Sequence, residues 1–205
     1  KTLIARSIAQ VADLDFSRVQ FTPDLVPGDI TGSTLFEAGS ASGTFKPGPV
    51  FANLVLGDEI NRAPPKTQSA VPEAMEERQG TVAGVSHPLP RPFIVIATQN
   101  PIESGGTYPL PEAQLDRFMF NVKIDYLSQD EEVKVVQQTT SEFKQTIDKL
   151  FSAEDVRRFH GTVKNVPVAE DLVRYAVRIA DASRPGRAGA PEFVNQYVNW
   201  GAGLR

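Results

Sequence analysis

The chain has 205 residues, 40% of them hydrophobic and 22% charged, with a formal net charge of -4, the composition of a globular protein large enough to bury a core. It contains no cysteine, which excludes disulfide frameworks and thiolate metal sites, and its acidic balance argues against holding nucleic acid through the overall field, leaving only a local basic loop for that role. No apolar run approaches the ~20 residues needed to span a bilayer and no signal-peptide core opens the chain, so the expected location is cytoplasmic.

Lys1-Thr2 is followed by apolar residues at helical spacing, Leu3, Ile4, Ile8 and Val11, which predicts a helix over residues 1–13. The opening reads as though a preceding strand and turn were missing. A short strand is expected over Arg18–Phe21, closed by Thr22-Pro23. Between Pro27 and Pro49 the glycines, prolines and small residues leave room only for a short helix near Ile30–Phe36. Phe51–Leu56 (FANLVL) is a continuous apolar run of strand length, as expected of a strand buried on both faces of a parallel sheet, and it stops at Gly57-Asp58-Glu59.

Pro64–Arg78 reads as a helix with proline in its first turn, and residues 80–90 alternate like a hairpin turning at Ala83-Gly84. Phe93–Ala97 (FIVIA) is a second buried strand. A loop to Pro111, a short helix through Arg117 and a strand over Phe120–Ile124 follow. Strands alternating with helices imply an α/β sheet. From Ser128 onward only helices are expected, over 129–141, 153–163 and 169–182, so the change near residues 125–128 predicts an α/β domain over 1–126 and a helical one over 127–205.

An apolar strand ending in Asp58-Glu59 has the Walker B arrangement: the aspartate reaches Mg²⁺ and the glutamate polarises the attacking water beside a bound triphosphate. Strands also end in merely solvated acids. Lys1-Thr2 at a helix start fits the end of G-x-x-x-x-G-K-[ST], where the lysine contacts the β and γ phosphates and the hydroxyl ligates Mg²⁺; a solvated helix start is the bland alternative. Asn100, just past FIVIA, can donate to a γ phosphate, or serve only as a turn asparagine before proline. Arg117 fits an arginine finger reaching a neighbouring subunit, or a surface arginine paired with Asp116 or Glu112.

The run LVLGDEINRAPPKTQSAVPEAMEERQGTVAGVSHPLPRPFIVIATQNPIESGGTYPLPEAQLDRF resembles the MoxR family of AAA+ ATPases, and QFTPDLVPGDITGS and GPVFANL upstream agree with it. The terminal VNWGAGLR resembles the family's sensor 2 segment. The resemblance implies a P-loop AAA+ parallel sheet sandwiched by helices and followed by a small all-helical lid, with ATP between the two parts. It implies Lys1 and Thr2 as the end of Walker A, Asp58 and Glu59 as Walker B, Asn100 as sensor 1, Arg117 as the trans-acting finger and Arg205 as the lid's sensor 2 arginine, with Thr2 and Asp58 holding Mg²⁺. ATP and Mg²⁺ are the implied cofactors. The implied partners are further copies of the chain in a hexameric ring, a client protein, and a von Willebrand factor A domain protein.

Three features depart from the family pattern. Pro72 falls inside the helix after Walker B and should bend it; Gly57 stands where alanine is more usual and should loosen the strand end; and the glycine loop is missing, so the chain as it stands is expected to bind nucleotide poorly. A DNA-translocating AAA+ protein is the alternative function, disfavoured because Thr81–Pro90 carries His87 but no lysine or arginine. His87 and His160 lack partners at metal-ligand spacing, and Phe159 and Trp200 are expected in the core.

Overall fold

The computed structural model of the protein describes residues 1–36, 43–100, 106–140 and 146–203. The chain divides into two compact units, Lys1–Arg157 and Arg158–Arg205.

The first unit is built on a three-stranded parallel sheet. Strand β1 (Phe16–Gln20) and a strand at Ile94–Ala97 both pair in parallel with a central strand at Leu54–Asp58. In chain order the elements are α1 (Thr2–Val11), β1, α2 (Pro27–Thr31), β2 (Gly32–Phe36), β3 (Gly43–Pro47), β4 (Leu54–Asp58), a 3₁₀ turn at Ile60–Arg62, α3 (Pro65–Gln68), α4 (Ala70–Glu77), β5 (Gln79–Val82), β6 (Val85–Pro88), β7 (Ile94–Ala97), α5 (Glu112–Leu115), α6 (Gln129–Thr139) and α7 (Ala153–Lys164). The division between the units falls within α7.

Side chains on a strand alternate between faces, and β4 is apolar on both. Leu54 and Leu56 pack with Ala5, Ala9, Ala12 and Leu14 on one side, where the alanines of α1 let that helix lie close to the sheet. Val55 packs on the other side with Val19, Phe21, Ile30, Ala63, Val71 and Ala74, drawn from β1, α2 and α4 among others. Leu54, Val55 and Leu56 are completely buried, worth ~1.5–3 kcal/mol each. A sheet covered on both faces by helices is the α/β arrangement that alternating elements imply.

Several expectations need correction. The helix expected near Ile30–Phe36 ends at Thr31 and the chain turns into β2, which pairs antiparallel with β3. Gly32 makes the switch at φ +94, where a Cβ would lie 2.3 Å from the Lys46 carbonyl oxygen, so no other residue fits. The helix expected over Pro64–Arg78 is broken at Ser69 into α3 and α4. Pro72 sits in the first turn of α4 and has no N–H to offer the Gln68 carbonyl four residues back, so the anticipated bend takes the form of a break. The strand expected over Phe120–Ile124 does not form; Phe120, Val122 and Ile124 are exposed, and among the described residues β7 pairs only with β4.

The hairpin of β5 and β6 turns at Ala83-Gly84, both with positive φ, as a tight two-residue turn requires. Its His87 ring stacks on Phe45 of β3 at 3.7 Å and 8°, with Phe51 edge-on to Phe45, which ties the two hairpins together.

The second unit contains α8 (Glu170–Ala182) and α9 (Glu192–Tyr197). The Asn195 side chain accepts from Gly186 N–H at 2.7 Å, and the Ser183 hydroxyl accepts from Ala202 N–H at 2.8 Å, fastening the connecting loop and the tail. Trp200 is 75% exposed and Phe159 45% exposed, so neither belongs to a core; a unit this small covers little of its own apolar surface.

Gly57 also lies close beneath a buried ring. A Cβ there would come within 3.2 Å of the Phe21 ring, which is completely buried over the sheet. Gly57→Ala requires the buried Phe21 ring to give by a few tenths of an ångström and should cost ~1 kcal/mol or less, read as a slightly lower urea midpoint, and Phe21→Leu should recover part of that loss in the double variant.

Candidate active site

The site forms where the buried sheet ends. In parallel pairing, Gln20 of β1 lies opposite Asp58 of β4, and β7 runs alongside on the other edge to deliver Thr98 and Gln99, one and two steps past its last ladder residue, Ala97. Thr98 joins the two strands. Its N–H donates to the Gly57 carbonyl at 2.8 Å and its carbonyl accepts from Ile60 N–H at 3.0 Å. Its hydroxyl donates to Asp58 Oδ1 at 2.5 Å and accepts from Glu59 N–H at 3.0 Å. One side chain thus orients both acidic residues.

Asp58 Oδ2 accepts from Arg18 Nε at 3.1 Å and Nη2 at 2.7 Å, and Arg18 also donates to the Gln20 side-chain oxygen. Burial pushes the Asp58 carboxyl up, but the hydrogen bonds from Thr98 and Arg18, with the charges of Arg18 and Lys1, outweigh it and hold the group below the usual aspartate value. Arg18 is 43% exposed, so this pair contributes only ~1 kcal/mol or less to stability.

Glu59 adopts a left-handed backbone conformation, φ 57 and ψ 46, which turns its side chain off the strand direction. Its Oε2 accepts from Gln20 Nε2 at 3.0 Å and from Arg62 Nη1 at 3.1 Å. Lys1 caps α1, and its Nζ approaches the Gln99 carbonyl at 3.4 Å, so the start of α1 reaches the same sheet edge as the carboxylates. Thr2 opens α1 and is half-buried.

The remaining predicted residues lie differently. The Asn100 carbonyl accepts from Asn61 Nδ2 at 3.4 Å, which fastens the segment beyond β7 to the 3₁₀ turn. Arg117 pairs through Nη2 with Glu76 of α4 at 2.6 Å, and not with Asp116 or Glu112. Arg205 lies outside the described residues.

The structure thus brings together Lys1, Asp58 and Glu59, and adds Arg18, Gln20, Thr98 and Arg62, to which the sequence reading assigned no role. A signal for the first two was present: Arg18 and Gln20 sit two apart on a short strand and so share a face. The donor set fits Mg²⁺, which takes hard oxygen ligands from one or two carboxylates and completes its shell with water and phosphate; Asp58 is ionised, and the Thr2 hydroxyl begins the facing helix.

Because its folded value is depressed, Asp58 adds stability above its ordinary value of 3.8, and that stability is lost as pH falls through the lower folded value. Thr98→Val should raise the Asp58 carboxyl toward 3.8, seen by NMR titration of its side-chain carbon. An unmoved titration would contradict the role given to this hydroxyl.

Residues 1–120 match the model of the ATPase family associated with various cellular activities (AAA). The chain is 45% identical over 185 residues to the uncharacterized protein YeaC of Bacillus subtilis, covering 90% of this chain and 58% of YeaC. It is 43% identical over 208 residues to the chaperone MoxR1 of Mycobacterium tuberculosis, covering 100% of this chain and 54% of MoxR1. A crystal structure of a Cytophaga hutchinsonii protein assigned as an ATPase superposes with a TM-score of 0.88 at 40% identity, over all of this chain and 62% of that one. The chain therefore spans little more than half the length of YeaC and MoxR1. The α/β fold, the carboxylate pair at the sheet's edge and these matches agree, and the chain belongs to the MoxR family of AAA+ ATPases.

Proposed function

We propose that the protein hydrolyses ATP and uses the energy, as a chaperone-like remodelling machine, to act on a client protein or complex. The observation that supports this reading best is the convergence of Lys1, Asp58 and Glu59 at the carboxyl edge of one buried parallel sheet, the place where ligands bind in such sheets.

Lys1 and Thr2, at the N-terminus of α1, receive the triphosphate, where the helix dipole favours negative charge. Asp58, with the Thr2 hydroxyl, holds Mg²⁺, which when bound neutralises charge developing on the phosphate oxygens. Glu59 orients and polarises the attacking water, with Gln20 and Arg62 fixing its carboxylate through Oε2. Asn100 follows the state of the γ phosphate. Arg117 acts across a subunit boundary, leaving its Glu76 pairing to reach the neighbour's nucleotide, and this role requires a ring, which we take to be a hexamer.

Residues 1–126 carry the nucleotide chemistry in this scheme and residues 127–205 form the helical lid, with Arg205 as its sensing arginine. A von Willebrand factor A domain protein is the partner we assign to the ring. Among the described residues no helix is long and apolar enough to cross a membrane, and we place the assembly in the cytoplasm. DNA translocation has less support, because the β5–β6 hairpin, Gln79–Pro88, offers no lysine or arginine to phosphates.

In the full-length protein, Glu59→Gln should retain ATP binding while turnover falls to background. Arg117→Ala should lower turnover ~10³–10⁵-fold, the usual worth of an arginine finger. Mixing the two inactive variants should restore measurable ATPase, since each ring then contains sites with an intact Glu59 facing an intact Arg117. Full turnover in either single variant, or no recovery in the mixture, counts against the scheme.

A further inference from the structure

We propose that Arg18 is a positioning residue at the metal site: a built-in counter-ion that occupies Asp58 and competes with a divalent cation for that carboxylate. The proposal rests on the ATPase reading for its purpose, but the competition itself is a property of the sheet edge.

The strand register creates the contact. Arg18 lies opposite Leu56 and Gln20 opposite Asp58, so the long Arg18 side chain, two residues behind, reaches forward to the strand end. Nε and Nη2 both fall on Oδ2, at 3.1 Å and 2.7 Å, while Oδ1 is engaged by the Thr98 hydroxyl at 2.5 Å. Both oxygens of a carboxylate that is only 17% exposed are therefore engaged within the protein.

The pairing also spreads sideways. Arg18 donates to the Gln20 side-chain oxygen, and the same amide donates through Nε2 to Glu59 Oε2 at 3.0 Å. Asp58, Arg18, Gln20 and Glu59 thus form one chain of contacts, so moving the guanidinium disturbs both carboxylates. At 43% exposure, Arg18 has room to swing into solvent or toward an incoming anion.

A cation arriving alone must displace or sit beside a fixed positive charge, which Coulomb repulsion disfavours at such separations. A cation arriving with a polyphosphate brings negative charge with which the guanidinium can pair instead. Arg18 thereby makes metal occupancy depend on nucleotide and keeps the carboxylate in position between turnovers.

Mn²⁺ alone, followed by its electron paramagnetic resonance signal in the nucleotide-free full-length protein, tests this. Arg18→Ala and Arg18→Met, the latter keeping much of the aliphatic stem, should each lower the half-saturating Mn²⁺ concentration at least ~3-fold at low salt, with the gain shrinking in high salt. Adding Asp58→Asn should abolish the gain. A folding defect weakens metal binding, so tightening is a result that structural damage cannot mimic. Unchanged or weaker Mn²⁺ binding in both variants, or a gain that survives Asp58→Asn, overturns the proposal. Binding of a fluorescent ADP to the wild-type protein is measured alongside; its absence would count against the ATPase reading while leaving the Mn²⁺ comparison to decide the role of Arg18.

Discussion

A strand covered on both faces can carry charge only where it emerges from the sheet, because an unpaired charge inside costs far more than any local contact returns. β4 obeys this constraint: Leu54, Val55 and Leu56 are fully buried and the first acid is Asp58, the last residue of the strand. The rest of the site follows from it. Neighbouring strands that end at the same level must supply the groups that balance those acids, and here Arg18 and Gln20 come from one side and Thr98 from the other. The dry core fixes the position of the carboxylates, and the two flanking strands fix their orientation.

Much of this was legible in the sequence, for identifiable reasons. FANLVL and FIVIA are largely apolar without alternation, the pattern of a strand covered on both faces, and Asp58-Glu59 follows the first of them directly; β4 is buried as that pattern implies, whereas every residue of β7, at the edge of the sheet, is only half-buried. The Ala83-Gly84 turn announced its hairpin. Residues 32–47 were less transparent because their glycines and prolines read as loop, whereas Gly32 in fact serves the close approach of two strands. Phe120–Ile124 alternates as a strand should, but a strand needs a neighbour, and pairing is not written in local pattern. Arg18 and Thr98 escaped notice because each acquires its role only through a residue about forty positions away.

The hairpins show a second level of organisation. Phe45 and Phe51 lie against His87, and a Cβ on Gly80 would approach the Phe51 ring to 2.9 Å, so the aromatic cluster also rests on the β5 backbone. Two projections separate in sequence are therefore joined through stacked rings rather than through backbone pairing. Exposed apolar residues lie on both, Leu35 and Phe36 on β2 and Val85 on β6.

The left-handed backbone at Glu59 ties the turn to the side chain it carries. A residue with a side chain in that conformation holds ~1 kcal/mol or more of strain, which glycine at position 59 would relieve at no steric cost. Glycine loses more freedom on folding, ~0.5–1 kcal/mol, so the exchange would gain little stability and would remove the carboxylate that Gln20 and Arg62 hold. Position 59 therefore joins a strained backbone to a side chain with two hydrogen-bond partners, Gln20 and Arg62, so the turn and the carboxylate cannot be altered independently.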